Sequence, residues 1–131
     1  MKFNLENLNP GTWFNFDDSN PESGRICVRR LNAATGKRLS RECTSTVRKF
    51  SKGKPYEVSE FNEDQFDLRF YDYVIVDWEG VEDENGTPIP CTAENKKVLA
   101  QESIFFQGLI AEAMEKLEIE QAEKEEAAEK N

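Results

Sequence analysis

The sequence predicts an α+β fold: an N-terminal β-hairpin or small antiparallel sheet, then a mainly helical bundle ending on a long charged C-terminal helix. Three patterns carry this reading. Aromatic and β-branched residues cluster in two short stretches near the N-terminus. Apolar residues recur every three or four positions through the middle of the chain. A last apolar seam gives way to Glu, Lys, Ala and Gln at the C-terminus.

In chain order, residues 1–11 are polar and end at the Pro10-Gly11 turn. Thr12-Trp13-Phe14-Asn15-Phe16 and Arg25-Ile26-Cys27-Val28-Arg29-Arg30-Leu31 read as strands, separated by a loop of turn-forming residues. Pairing them gives a hairpin with Trp13, Phe14, Phe16, Ile26 and Val28 as its apolar face. From Lys37 to Lys52, Leu39, Cys43, Val47 and Phe50 are spaced as one face of a helix. Asn62 and Gln65 resemble an N-cap pair, and Phe66, Phe70, Val74 and Trp78 follow at a spacing of four. That spacing favours a helix over 63–78, against the high β propensity of residues 71–76. Thr92 is placed to cap a short helix carrying Val98 and Leu99. Phe106, Ile110, Met114 and Leu117 then form the seam of the last helix, widened by Phe105 and Leu109. Residues 1–119 read as a single α+β domain, and 120–131 as a charged helical tail that frays because it has nothing to bury.

The 131 residues carry a formal net charge of −9. This balance disfavours non-specific nucleic-acid binding, which needs a basic surface to displace counterions. The charge is uneven: residues 25–54 hold ten basic side chains and one acid, and the remainder is strongly acidic. Such blocks are either solvated faces of one fold or a bipolar surface for weak self-association. Three scattered cysteines, with no CxxC pair, predict neither a disulfide framework nor a zinc site. The expected setting is a reducing cytoplasm, with no signal peptide and no membrane span.

No constellation supports catalysis. The chain has no histidine, which removes the usual general base and the commonest metal ligand. Asp77, Glu79, Glu82, Asp83 and Glu84 cluster in a Gly-flanked loop that offers no desolvation to separate their pKa values. Placing the required glycine of a calcium-binding EF-hand loop at Gly86 puts Val81 at its first position and Thr92 at its last, so the ligand pattern fails. Gly36-Lys37 lacks the rest of a phosphate-binding loop. The expectation is a non-enzyme without cofactor or metal.

The most specific stretch runs from Val76-Asp77-Trp78-Glu79-Gly80-Val81 through Asp83-Glu84-Asn85-Gly86-Thr87-Pro88-Ile89-Pro90 to Thr92-Ala93-Glu94-Asn95. It joins an aromatic anchor, an acidic Asn-Gly turn, a Pro-x-Pro exit and a helix start. Asp77, Trp78, Gly80, Gly86, Pro88, Pro90 and Asn95 fall on a signature that resembles the small bacteriophage tail assembly chaperones. The aromatic strand, the Ile26–Leu31 stretch and the charged C-terminus are similar to that family more loosely. The resemblance implies a protein that keeps the long, helix-rich tape measure protein soluble and helps recruit tail tube subunits. It implies action in the cytoplasm of the bacterial host and absence from the mature virion. Trp78 reads as a core anchor closing the motif. Phe105, Phe106, Leu109, Ile110, Met114 and Leu117 are the candidate client-binding surface; they read equally as completing the chain's own core. A small structural virion protein and an acidic protein-binding adaptor are the alternative functions.

Overall fold

The computed structural model describes residues 1–129. The fold is α+β, with two small antiparallel sheets and four α-helices among the described residues. The chain divides into two compact units, one formed by residues 1–30 and 71–131 and the other by Leu31–Phe70.

The first unit holds a three-stranded sheet in the order β1-β2-β5, all antiparallel: β1 is Thr12–Asn15, β2 Arg25–Val28 and β5 Ile75–Glu79. The expected N-terminal hairpin is therefore present, with Trp13 opposite Cys27 and Phe14 opposite Ile26. The second strand stops at Val28, short of the expected Leu31, but Arg29 stays in place by donating its amide to Val74 O. Ile26 faces Trp78 across to β5, and the register shifts beyond Cys27 so that Val76 is the extra residue of a bulge. Helices α3 (Ala93–Glu102) and α4 (Ile104–Glu129) complete the unit. Its core is built from Ile26, Val28, Val74, Ile75, Trp78, Ala100, Phe106, Ile110, Ala113 and Leu117, all buried.

The helix expected over 63–78 ends early. Helix α2 covers Glu63–Val74, starting after Asn62, whose Oδ1 accepts the Gln65 amide as expected. Residues 75–79 are strand instead. Ile75, Asp77, Trp78 and Glu79 each gain a partner in β2 there, and tertiary pairing overrides the helical spacing of Trp78.

The second unit corrects another expectation. Helix α1 covers only Ala33–Glu42, capped by Asn32 Oδ1 on the Thr35 amide. Residues expected to continue it, including Val47 and Phe50, lie in strand β3, Thr44–Ser51. This strand pairs residue for residue with β4, Lys54–Phe61. The physical reason is local. Thr44, Thr46 and Val47 are β-branched and poor in helices. Lys52 and Gly53 both take positive φ (52° and 76°), the requirement of a two-residue hairpin turn matched to strand twist. Leu39 and Cys43 are buried, and the Phe61 and Phe66 rings meet at 5.5 Å. Glu42 takes ion pairs from Arg38 and Arg69.

Helices α3 and α4 are separate. Ser103 has an extended backbone between them, and its Oγ accepts the Phe106 amide at 3.0 Å, capping α4. Helix α4 continues through the expected fraying tail as far as Glu129; residues 130–131 of that tail lie outside the described residues.

Gly80 fixes the exit from β5. Its φ is +76°, and a Cβ there would lie 2.7 Å from the Gly24 Cα. Replacing Gly80 by alanine imposes left-handed strain of about 1–3 kcal/mol, to which the overlap with Gly24 adds. Chemical denaturation of Gly80→Ala should show a clearly lowered midpoint. An unchanged midpoint would refute this packing of the two glycines.

Candidate functional site

The motif of residues 76–95 forms one hydrogen-bonded structure, and each of its predicted residues has a physical task. Trp78 is 5% exposed. Its Nε1 donates to Ile89 O at 2.7 Å, and its ring stands edge-on to Phe106 at 5.6 Å. The indole thus ties the end of β5 both to the Pro-x-Pro exit and to the start of α4. Asp77 Oδ1 accepts the Trp78 amide at 2.8 Å.

The acidic turn is organised by Asp83. Its Oδ1 accepts the amides of Asn85 and Thr87, its carbonyl accepts the Gly86 amide, and its own amide donates to Thr87 O. Gly86 takes φ +77° at the end of this turn. Glu82 pairs with Pro88 as a β-bridge, and the Ile89 amide donates to Val81 O at 2.8 Å, so the loop closes on itself. Pro90 O accepts Asn95 Nδ2 at 2.8 Å and the Thr92 amide at 3.0 Å. Thr92 Oγ1 accepts the Asn95 amide at 3.2 Å, giving the expected N-cap of α3. The Asp77 and Asp83 carboxylates are thus occupied by backbone amides. Among the described residues no group of His, Cys, Asp or Glu is arranged to hold a metal ion, and no helix is long and apolar enough to cross a membrane.

The candidate client-binding residues divide. Phe106, Ile110 and Leu117 are buried core. Met114 and Leu109 are half-buried. Phe105 is 78% exposed, and beside it stands Ile104, 85% exposed, which the sequence reading did not select. A signal for it was present. Three consecutive apolar residues, Ile104-Phe105-Phe106, turn about 100° apiece around a helix, so they cannot all face one core. A groove of about 430 Å³ adjoins this step, lined by Phe16, Val81, Leu99, Phe105, Phe106 and Leu109, with Asp17 and Glu82 among its polar lining.

Sequence reasoning also missed Lys96. It is 8% exposed, and its Nζ donates to the Asp72 carbonyl at 3.0 Å and to Asp72 Oδ1 at 3.2 Å. Its one legible sign is its place one helical turn before buried Ala100. Arg29 is likewise committed to structure: its guanidinium lies 3.8 Å from the Tyr73 ring centroid and donates to Tyr73 O.

Among the cysteines, burial pushes the half-buried Cys91 thiol up to about 11 from an ordinary 9.0, and burial also raises Cys27. Neither is poised as a thiolate nucleophile at neutral pH. The folded state holds the Cys91 proton more tightly than the unfolded chain does. The resulting stability is therefore complete below pH 9.0 and lost as pH rises toward about 11. Denaturation midpoints measured across that interval should fall, and Cys91→Ala should fall less steeply. Equal slopes for the two proteins would contradict this assignment.

Comparison with known proteins gives one positive finding. A family model described as YdaY prophage protein matches residues 32–131. No curated protein and no solved structure matches the chain. The match includes the whole motif of residues 76–95 together with α4. The expectation of a virus-derived protein is met at the level of prophage origin. This chain belongs to the YdaY prophage protein family.

Proposed function

We propose that this prophage protein is a tail assembly chaperone. It binds the tape measure protein, keeps that long helical client soluble, and helps recruit tail tube subunits. It acts by binding and not by catalysis, in the cytoplasm of the bacterial host, and is left out of the mature virion. Membership of a prophage family and the resemblance of residues 76–95 to the chaperone signature support the class.

The observation that carries the reading is the apolar step at the start of α4. Ile104 and Phe105 are among the most exposed large apolar side chains of an acidic chain. They sit beside a groove whose apolar lining includes Val81, Leu99 and Leu109. An amphipathic client helix presents apolar residues at spacings of three and four, which suits such a step and groove. The surrounding acid keeps the complex soluble. Displacement by tube subunits requires weak, repeated contacts, and a short step of two side chains is suited to that.

The test is co-expression with the tape measure protein encoded by the same prophage. The wild-type chain should carry that protein into the soluble fraction and co-purify with it. Ile104→Asp/Phe105→Asp, whose side chains already face solvent, should keep the wild-type melting temperature and lose the rescue. Absence of rescue by the wild type, with the chain found in purified particles, would establish a structural virion protein instead.

A further inference from the structure

The hairpin of β3 and β4 is the feature that the proposed function leaves without a task. Among the described residues, its two strands pair with each other and with no other strand. Every residue from Arg48 to Glu57 is exposed. An isolated two-stranded hairpin is marginal in water, and this one holds aromatic surface out to solvent: Phe50 is 66% exposed and Tyr56 45%. Thr44–Tyr56 contains Arg48, Lys49, Lys52 and Lys54 and no acid. The pairing places Lys49 directly opposite Tyr56, with Lys54 two residues along the same face. Phe50 shares its face with Arg48 and Pro55. The two aromatic side chains therefore lie on opposite faces, each among bases: Tyr56 with Lys54 and with Lys49, which also pairs with Glu60 at 2.9 Å, and Phe50 with Arg48, which stands opposite Glu57.

The chain also carries the complement of that surface. From Glu112 to Glu129, α4 holds eight glutamates and two lysines. Ile119 is 53% exposed there, with Glu115 and Glu123 one helical turn to either side. An apolar side chain set among acids matches aromatic side chains set among bases, in both charge and hydrophobicity.

We infer that the β3–β4 hairpin of one copy docks on the outer face of α4 of a second copy, centred on Ile119. Each copy carries both surfaces, so the contact is head to tail and repeats along a row of copies. The occupant is a second copy of this chain and not a nucleic acid, because the net charge of −9 repels a polyanion from the molecule as a whole. This contact does not depend on the identity of the client.

Sedimentation velocity on the full chain tests it. Self-association should be present at about 0.1 M salt and weakened by roughly tenfold or more at about 1 M, as the screening length falls from ~10 to ~3 Å. Lys52→Glu/Lys54→Glu and Glu115→Lys/Glu123→Lys should each abolish it, because each brings like charges together. Mixing the two reversals should restore it, because each altered surface then meets its opposite charge on the other chain. Introducing both reversals into one chain should restore it by exchanging the signs. Ile119→Ser, which alters no charge, should weaken it at both salts and guards against a reversal that perturbs folding. A monomer at both salts would overturn the proposal, as would association indifferent to either reversal, or failure of the combined variant to recover. Tight binding of single-stranded or duplex DNA, lost in Lys52→Glu/Lys54→Glu, would overturn it by assigning the hairpin to nucleic acid.

Discussion

The hydrogen bond from Trp78 Nε1 to Ile89 O joins two stretches that otherwise have little reason to stay together: the end of an edge strand and an acidic, proline-bounded loop. Around that bond the indole also stands edge-on to Phe106. Burying a tryptophan leaves one polar N–H that must find an acceptor, and the Pro-x-Pro segment supplies one whose position is fixed. Phe106 is held inward by this contact and by the Ser103 cap on its amide. With Phe106 directed into the core, helical geometry turns Ile104 and Phe105 outward. The exposed step proposed for client binding is therefore a consequence of the anchor beneath it.

The motif shows how a signature of turn residues works as a structural unit. Gly80 is required by close approach to Gly24, Asp83 gathers the amides of its own turn, and Asn95 fastens the first turn of α3 to Pro90. None of these tasks is chemical in the catalytic sense. Their joint effect is to fix where α3 begins and, through Trp78, where α4 leaves the sheet.

Much of this was legible in the residues. The β1–β2 hairpin followed from its aromatic and β-branched stretches, and the Asn62 and Thr92 caps followed from side chains able to accept a backbone amide three residues on. The failures have a common origin. Leu39, Cys43, Val47 and Phe50 match a helical period, as do Phe66, Phe70, Val74 and Trp78, yet both series cross a change of structure. Periodicity samples four positions and is blind to what lies between them. In each case the intervening or adjoining β-branched residues had a partner strand available, β4 in one and β2 in the other, and that partner is distant or hidden in the sequence. The Lys52-Gly53 turn was the local sign of a hairpin, since both residues take the positive φ that such a turn requires. At the candidate site, the seam of α4 was correctly placed in the chain while its buried and exposed members were not separated. That separation depends on the orientation of the helix, which Trp78 sets from outside it.

The two tryptophans make the central role of this anchor directly measurable. Trp78 is buried with its indole N–H donated, whereas Trp13 is half-buried on the edge strand under the Arg25 guanidinium. Hydrogen exchange of the two indole N–H groups, followed by NMR, reports them side by side in one sample. The account predicts that the Trp78 indole exchanges only with global unfolding, at the rate of the slowest core amides, while Trp13 exchanges much faster. Rapid exchange at Trp78, matching the loop amides of residues 82–88, would contradict it, since the motif would then open without disturbing the core.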